Sequence, residues 1–113
     1  MRIDGTDIYM IRGDTECIRV SCKNTHGIDV PFVEGDKIYL TVKKSPNVEA
    51  KIFQKLVNQF TDGYALINLQ HEDTANAQVG SYYYDVQLNT ASGKVKTIVP
   101  PSRFVIEEEV TYE

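Results

Sequence analysis

The segment Gly80-Ser-Tyr-Tyr-Tyr-Asp-Val-Gln-Leu88 constrains this chain more than any other. Counted by parity, Tyr82, Tyr84, Val86 and Leu88 fall on one side of an extended chain, and Tyr83, Asp85 and Gln87 on the other. Side chains alternate across a strand, so a segment with one wholly apolar or aromatic side is a half-buried β-strand. Asn89-Thr-Ala-Ser-Gly93 then reads as a turn, and Lys94-Val-Lys-Thr-Ile-Val99 as the returning strand. The pattern fixes a fold class and names no reaction.

The same period recurs along the chain. In Asp36-Lys-Ile-Tyr-Leu-Thr-Val-Lys43, Ile38, Leu40 and Val42 point inward, and Lys37, Tyr39, Thr41 and Lys43 outward. Glu16 to Lys23 sets Ile18, Val20 and Cys22 against Cys17, Arg19 and Ser21. Asp7 to Ile11 is a short first strand, and Arg12-Gly-Asp-Thr15 a turn. Pro31 makes 28–33 an edge segment or a connection. Residues 49–60 read two ways. Ile52, Phe53, Leu56, Val57 and Phe60 suit a helix, whereas the alternation through Lys51, Phe53, Lys55 and Val57 suits a strand. The strand is preferred, because its neighbours are strands and Thr61-Asp-Gly63 reads as a hairpin turn leading back through Tyr64 to Leu69. Glu72-Asp73-Thr74 suggests one helical turn crossing between sheets. Pro100-Pro101 is expected to stop ladder bonding before a last strand with Phe104 and Ile106 inward. Residues 107–113 read as an exposed tail.

Seven to eight short strands with turns between them predict an all-β fold, an immunoglobulin-like antiparallel β-sandwich. A crossing turn followed by a Tyr-bearing strand also fits a tyrosine corner, with Tyr82 or Tyr84 bonding back to the corner; a row of aromatic cross-strand pairs is the alternative. There is no Trp, and no Cys on the tyrosine strand, so the pin of antibody domains is missing. The 113 residues suit a single domain, 1–113, with an ordered core over about 7–108.

Charge and cysteines narrow the function classes. A net charge of −4 argues against nucleic acid, which needs clustered Lys and Arg; Lys43, Lys44, Lys51 and Lys55 read instead as the solvent faces of neighbouring strands. Cys17 and Cys22 lie about 16 Å apart along a strand, too far for a disulfide, and on opposite faces, with Cys22 in the core. Two cysteines with no second pair do not make a structural zinc site. The expected compartment is reducing, with no leader and no membrane span.

No catalytic set stands out, and no catalytic, cofactor or metal residue is assigned. His26 with Asp29 and the run His71-Glu72-Asp73 read as solvated loops, since adjacent side chains splay apart and no nucleophile has a fitting spacing. Glu107, Glu108 and Glu109 read as a solvated charge run. Arg12-Gly13-Asp14 spells an adhesion tripeptide but is a turn first. The stripe Tyr83, Asp85, Gln87, together with Tyr39 and Thr41, is the candidate interaction surface, because tyrosine suits protein contacts. Exposed Tyr39, Tyr64 and Tyr83 also admit a carbohydrate-binding module.

The order of these motifs carries a family resemblance. Gly35-Asp36-Lys-Ile-Tyr-Leu-Thr-Val-Lys43 comes first, then a strand pair through Asp62-Gly63, then Asp73-Thr74. Gly80-Ser-Tyr-Tyr-Tyr-Asp-Val-Gln-Leu88, Ser92-Gly93, Lys96-Thr97-Ile98, Arg103-Phe-Val-Ile-Glu107 and Glu109-Val-Thr111 follow. Over about residues 7–111 the chain resembles small immunoglobulin-like β-sandwich proteins of tailed phages and prophages, and is similar to the N-terminal domain of upper baseplate proteins. The resemblance implies a non-enzymatic tail- or baseplate-associated module without cofactors. Its partners would be other virion subunits or copies of itself, first in the bacterial cytoplasm during assembly and then in the virion.

Overall fold

The computed structural model describes residues 1–111. The strands are β1 (Arg2–Asp4), β2 (Asp7–Ile11), β3 (Glu16–Val20), β4 (Cys22–Lys23), β5 (Asp29–Val30), β6 (Lys37–Lys43), β7 (Lys51–Val57), β8 (Ala65–Leu69), β9 (Gly80–Asn89) and β10 (Val95–Glu107). One helical turn, α1 (His71–Thr74), lies between β8 and β9. The chain is thus mostly strand, in a six-stranded sheet of order β1-β2-β10-β9-β6-β7 and two-stranded sheets β3-β8 and β4-β5.

Period-2 patterning decides which sides are buried. Ile38, Leu40 and Val42 of β6, Tyr82, Tyr84, Val86 and Leu88 of β9, and Phe104 and Ile106 of β10 form the apolar side of the large sheet. They share one core with Ile18 and Val20 of β3 and Ala65, Ile67 and Leu69 of β8. Each fully buried aliphatic or aromatic side chain contributes about 1.5–3 kcal/mol. Phe104 packs edge-on against Phe53 and Tyr84, with ring centroids 5.8 and 6.0 Å apart.

Both candidate tyrosines are buried, and their hydroxyls do different things. Tyr82 Oη donates to the carbonyl of Gln78, 2.6 Å away, the backward bond expected of a corner. Tyr84 Oη donates to the carbonyl of Thr6 and so ties β9 to the turn between β1 and β2. Burial, with the charge of Asp7 adding to it, pushes the Tyr84 phenol up to about 12, so it remains a donor at all ordinary pH.

Several expectations need correction. Pairing is not wholly antiparallel: β2 runs parallel to β10, with Phe104 opposite Ile8 and Ile106 opposite Met10. Strand β1 was not expected; it forms a hairpin with β2 around Gly5, whose φ of +63° supplies the left-handed turn position. Glu16 to Lys23 divides at Ser21 into β3 and β4. The returning strand and the last strand are one strand, β10. It runs past Pro100-Pro101 because the register with β9 slips between Thr97 and Val99 and again between Val99 and Ser102. Such bulges accommodate residues that cannot donate to the ladder.

Residues 51–57 are strand and not helix. Thr61-Asp62-Gly63-Tyr64 is a tight turn closed by two 3.0 Å bonds between Thr61 and Tyr64. Positive φ at Asp62 (50°) and Gly63 (83°) matches the mirror-image hairpin turn. The strands it joins do not pair, however: β7 bonds to β6, and β8 to β3. The turn is where the chain changes sheets. A Cβ at Gly63 would stand 2.6 Å from the Cβ of Pro31, so glycine is required there twice over.

The tail is held through Glu109. Arg12 Nη2 lies 2.7 Å from Glu109 Oε1, and the two side chains are only 18% exposed. That corrects the solvated reading of Glu109. The last two residues of the expected tail, 112 and 113, lie outside the described residues. Cys17 is exposed and Cys22 buried, both with free thiols.

Candidate interaction face

The outward side of the large sheet is polar and aromatic, and register brings the expected surface residues together. On β6 and β9, Tyr39 stands opposite Gln87, Thr41 opposite Asp85, and Lys43 opposite Tyr83. Strand β7 adds Leu56 opposite Tyr39, Gln54 opposite Thr41, and Lys51 opposite Lys43. Thr41, Tyr83, Asp85 and Gln87 line an open groove of about 300 Å³ with Lys43, Lys51, Gln54, Pro46 and Pro101. Tyr39 shares the face one step along β6, outside that lining.

Part of the groove is cross-linked. Gln54 Nε2 donates to Thr41 Oγ1 at 2.9 Å, and Lys51 Nζ to Gln54 Oε1 at 3.2 Å. Arg103, opposite Tyr83 on the β10 side, donates from Nη2 to Ser81 Oγ at 3.0 Å. Two features carry a cost. Lys43 and Lys51 face each other across the ladder, and like charges directly opposite are destabilising. Asp85 is the one carboxylate in the lining; partial burial pushes its pKa up, and Lys43 only partly offsets this.

The remaining candidates disperse. Tyr64 lies elsewhere, with the guanidinium of Arg19 stacked 3.9 Å from its ring centroid. Arg19 alternates with buried Ile18 and Val20, so that contact is on the outward side of β3, away from Tyr39 and Tyr83. Asp29 is taken by Lys23, Nζ to Oδ1 2.7 Å, and that bond holds its carboxyl below the usual range. His71 Nδ1 lies 2.7 Å from the Gly13 carbonyl, while Asp73 accepts from Lys55 and from the backbone N–H of Gln70. No group of three His, Cys, Asp or Glu side chains is placed to hold a metal among the described residues. Arg12 of the adhesion-like tripeptide is engaged by Glu109. No helix among the described residues is long and apolar enough to cross a membrane.

Sequence reasoning set Lys43 on the outward side of β6 with Tyr39 and Thr41 and read Lys51 as solvent-facing, but did not join either to the Tyr83 groove, and it missed Gln54, Pro46 and Pro101. Their signal was the β6–β7 register, hidden while 49–60 could be helix, and the bulges that let β10 carry Pro101 beside β9. No protein-family model matches the chain, and no curated protein matches it.

Proposed function

We propose that this chain is a non-enzymatic structural protein of a tailed phage or prophage, an immunoglobulin-like sandwich that works by docking its outward sheet face on neighbouring subunits. The immunoglobulin-like reading is supported by the shared core of the two larger sheets and by the Tyr82–Gln78 bond after a crossing turn. The phage setting, tail or baseplate, rests on the motif order from Gly35-Asp36 to Glu109-Val-Thr111.

The observation that carries the docking role is the groove itself. A sheet face meant only for water has no reason to oppose Lys43 to Lys51 or to desolvate Asp85 beside Tyr83. A rule broken locally, with no gain within the chain, is the mark of a contact surface. Tyr83, 37% exposed, supplies the large amphipathic side chain that interfaces favour.

The test is co-expression with the products of the flanking genes, which should encode tail or baseplate proteins. The Tyr83→Asp variant should bind such a partner on the order of ten-fold more weakly, a loss of about 1.4 kcal/mol. Unchanged affinity would remove this face from the reading.

One observation favours a second reading. Tyr83 stands among hydrogen-bonding Thr41, Gln54, Asp85 and Gln87, as an aromatic platform for a sugar ring does. Glycan-array binding lost on Tyr83→Ala, with no protein partner found, would support a carbohydrate-binding module.

A further inference from the structure

The six-stranded sheet has two edges, and they differ. Strand β1 has three residues and carries Arg2 and Asp4, which blunts it against further pairing. Strand β7 has seven residues, Lys51-Ile-Phe-Gln-Lys-Leu-Val57, with neither Pro nor Gly. It exposes Ile52 (40%) and Leu56 (50%) on its outward side. Inward-pointing charge commonly guards such an edge. Lys55 is that residue, but its ammonium is folded under the sheet onto Asp73, Nζ to Oδ2 3.0 Å, and does not project from the edge.

Among the antiparallel registers that overlap most of the strand, it is also complementary to itself in one only. Centred on Phe53, the pairing would oppose Lys51 to Lys55 of the second copy. Centred on Lys55, it would oppose the two Lys55 side chains. Both place like charges directly opposite. Centred on Gln54, it opposes Ile52 to Leu56 twice, Phe53 to Lys55 twice, and Gln54 to itself. The β7 bulge falls at Ile52, where the register moves from Val42–Phe53 to Lys43–Lys51, so the pairing would run from Ile52 to Leu56, symmetric about Gln54, with Lys51 and Val57 beyond its ends.

We propose that β7 pairs antiparallel with β7 of a second copy of this chain, about a two-fold axis at Gln54, joining two six-stranded sheets into one. The two outward faces become continuous across the seam. Gln54 also lines the groove that holds Tyr83, but Tyr83 itself lies two strands in from this edge, on β9, and makes none of the edge pairs.

Sedimentation velocity of the full chain over a range of concentrations should show a monomer–dimer equilibrium. Leu56→Lys should shift it to monomer by at least ten-fold in dissociation constant, and Tyr83→Asp should leave it unchanged. Circular dichroism of both variants should keep the strand signature, since both positions are exposed. In a Cys17→Ser background, Gln54→Cys should oxidise to a disulfide-linked dimer, because opposed residues lie within disulfide reach. Leu56→Cys, two residues off the axis and opposite Ile52 of the second copy, should not. A chain that stays monomeric throughout, a dimer that survives Leu56→Lys, or equal cross-linking at 54 and 56 would each overturn the proposal.

Discussion

Asp85 sits on a strand where any small polar residue would satisfy the backbone, yet it holds a carboxylate that the fold partly desolvates. Its pKa in the folded state lies above its unfolded value. Folding therefore favours the protonated form, and that contribution is present below the ordinary carboxylate range and lost as pH rises through the folded value. At neutral pH the ionised side chain lowers stability. Asp85→Asn should raise the urea midpoint at pH 7 by a small amount, and the gain should vanish near pH ~3, where Asp85 is protonated in both states. The same variant should weaken docking if the face works as proposed. Stability and binding moving in opposite directions would mark Asp85 as kept for contact, whereas a loss of stability at pH 7 would mark it as structural.

Elements differ in how they are held, and the segment after β10 depends on one ion pair. Arg12 Nε bonds both oxygens of Glu109 (3.1 and 3.2 Å), Nη2 bonds Oε1, and Nη1 reaches the carbonyl of Ala77. The turn after β2, the approach to β9 and the segment after β10 thus meet at one guanidinium. The Arg12 hydrogen bond leads in holding the Glu109 carboxyl below its usual range, with the Glu109 backbone N–H and the charges of Arg12 and His71 assisting. For a depressed pKa the stabilisation is present above the ordinary carboxylate range and lost as pH falls through the folded value. Protection factors over residues 108–111, taken relative to the intrinsic exchange rate at each pH, should fall in acid, and at neutral pH in Glu109→Gln, while the β9 amides stay protected. Continued protection of that segment in Glu109→Gln would assign its order to something other than the ion pair. None of this was legible in Glu107-Glu-Glu109, because a charge run carries no sign of a partner far away in sequence. Strands with one buried side were legible: β6 and β9 alternate without a break, and parity alone separates Tyr82 and Tyr84 from Tyr83, Asp85 and Gln87. β1 was not, because Arg2, Ile3 and Asp4 are all exposed and leave no period. The continuity of β10 was hidden by Pro100-Pro101, since bulges are set by the partner strand and not by local propensity.

At the scale of the whole molecule, the large sheet is closed by its last strand. β10 stands between β2 and β9, so among the described residues the only ladder joining the N-terminal hairpin to the rest of the sheet forms when Phe104 to Glu107 pair with Ile8 to Ile11. No local pattern announces a pairing between opposite ends of the chain, which is why a purely antiparallel arrangement was expected. The consequence is an asymmetry between the termini. Deleting residues 1–4 removes an edge strand of exposed residues and the exchange between the Met1 amino group and Glu16, an ion pair of the kind that contributes about 0–1 kcal/mol. Ending the chain at Arg103 removes Phe104 and Ile106, buried at 0% and 1% exposure, and strips β2 of its inner neighbour. Losing a buried Phe alone costs about 3–5 kcal/mol, and a buried Ile about 2–5, against a total stability of about 5–15. The N-terminal deletion should therefore melt cooperatively within a few degrees of the full chain. The chain ending at Arg103 should show no cooperative transition by circular dichroism and no dispersed methyl resonances. A cooperative melt in the C-terminal truncation would mean that β9, β6 and the β3–β8 pair fold without the strand that joins the two ends of the chain.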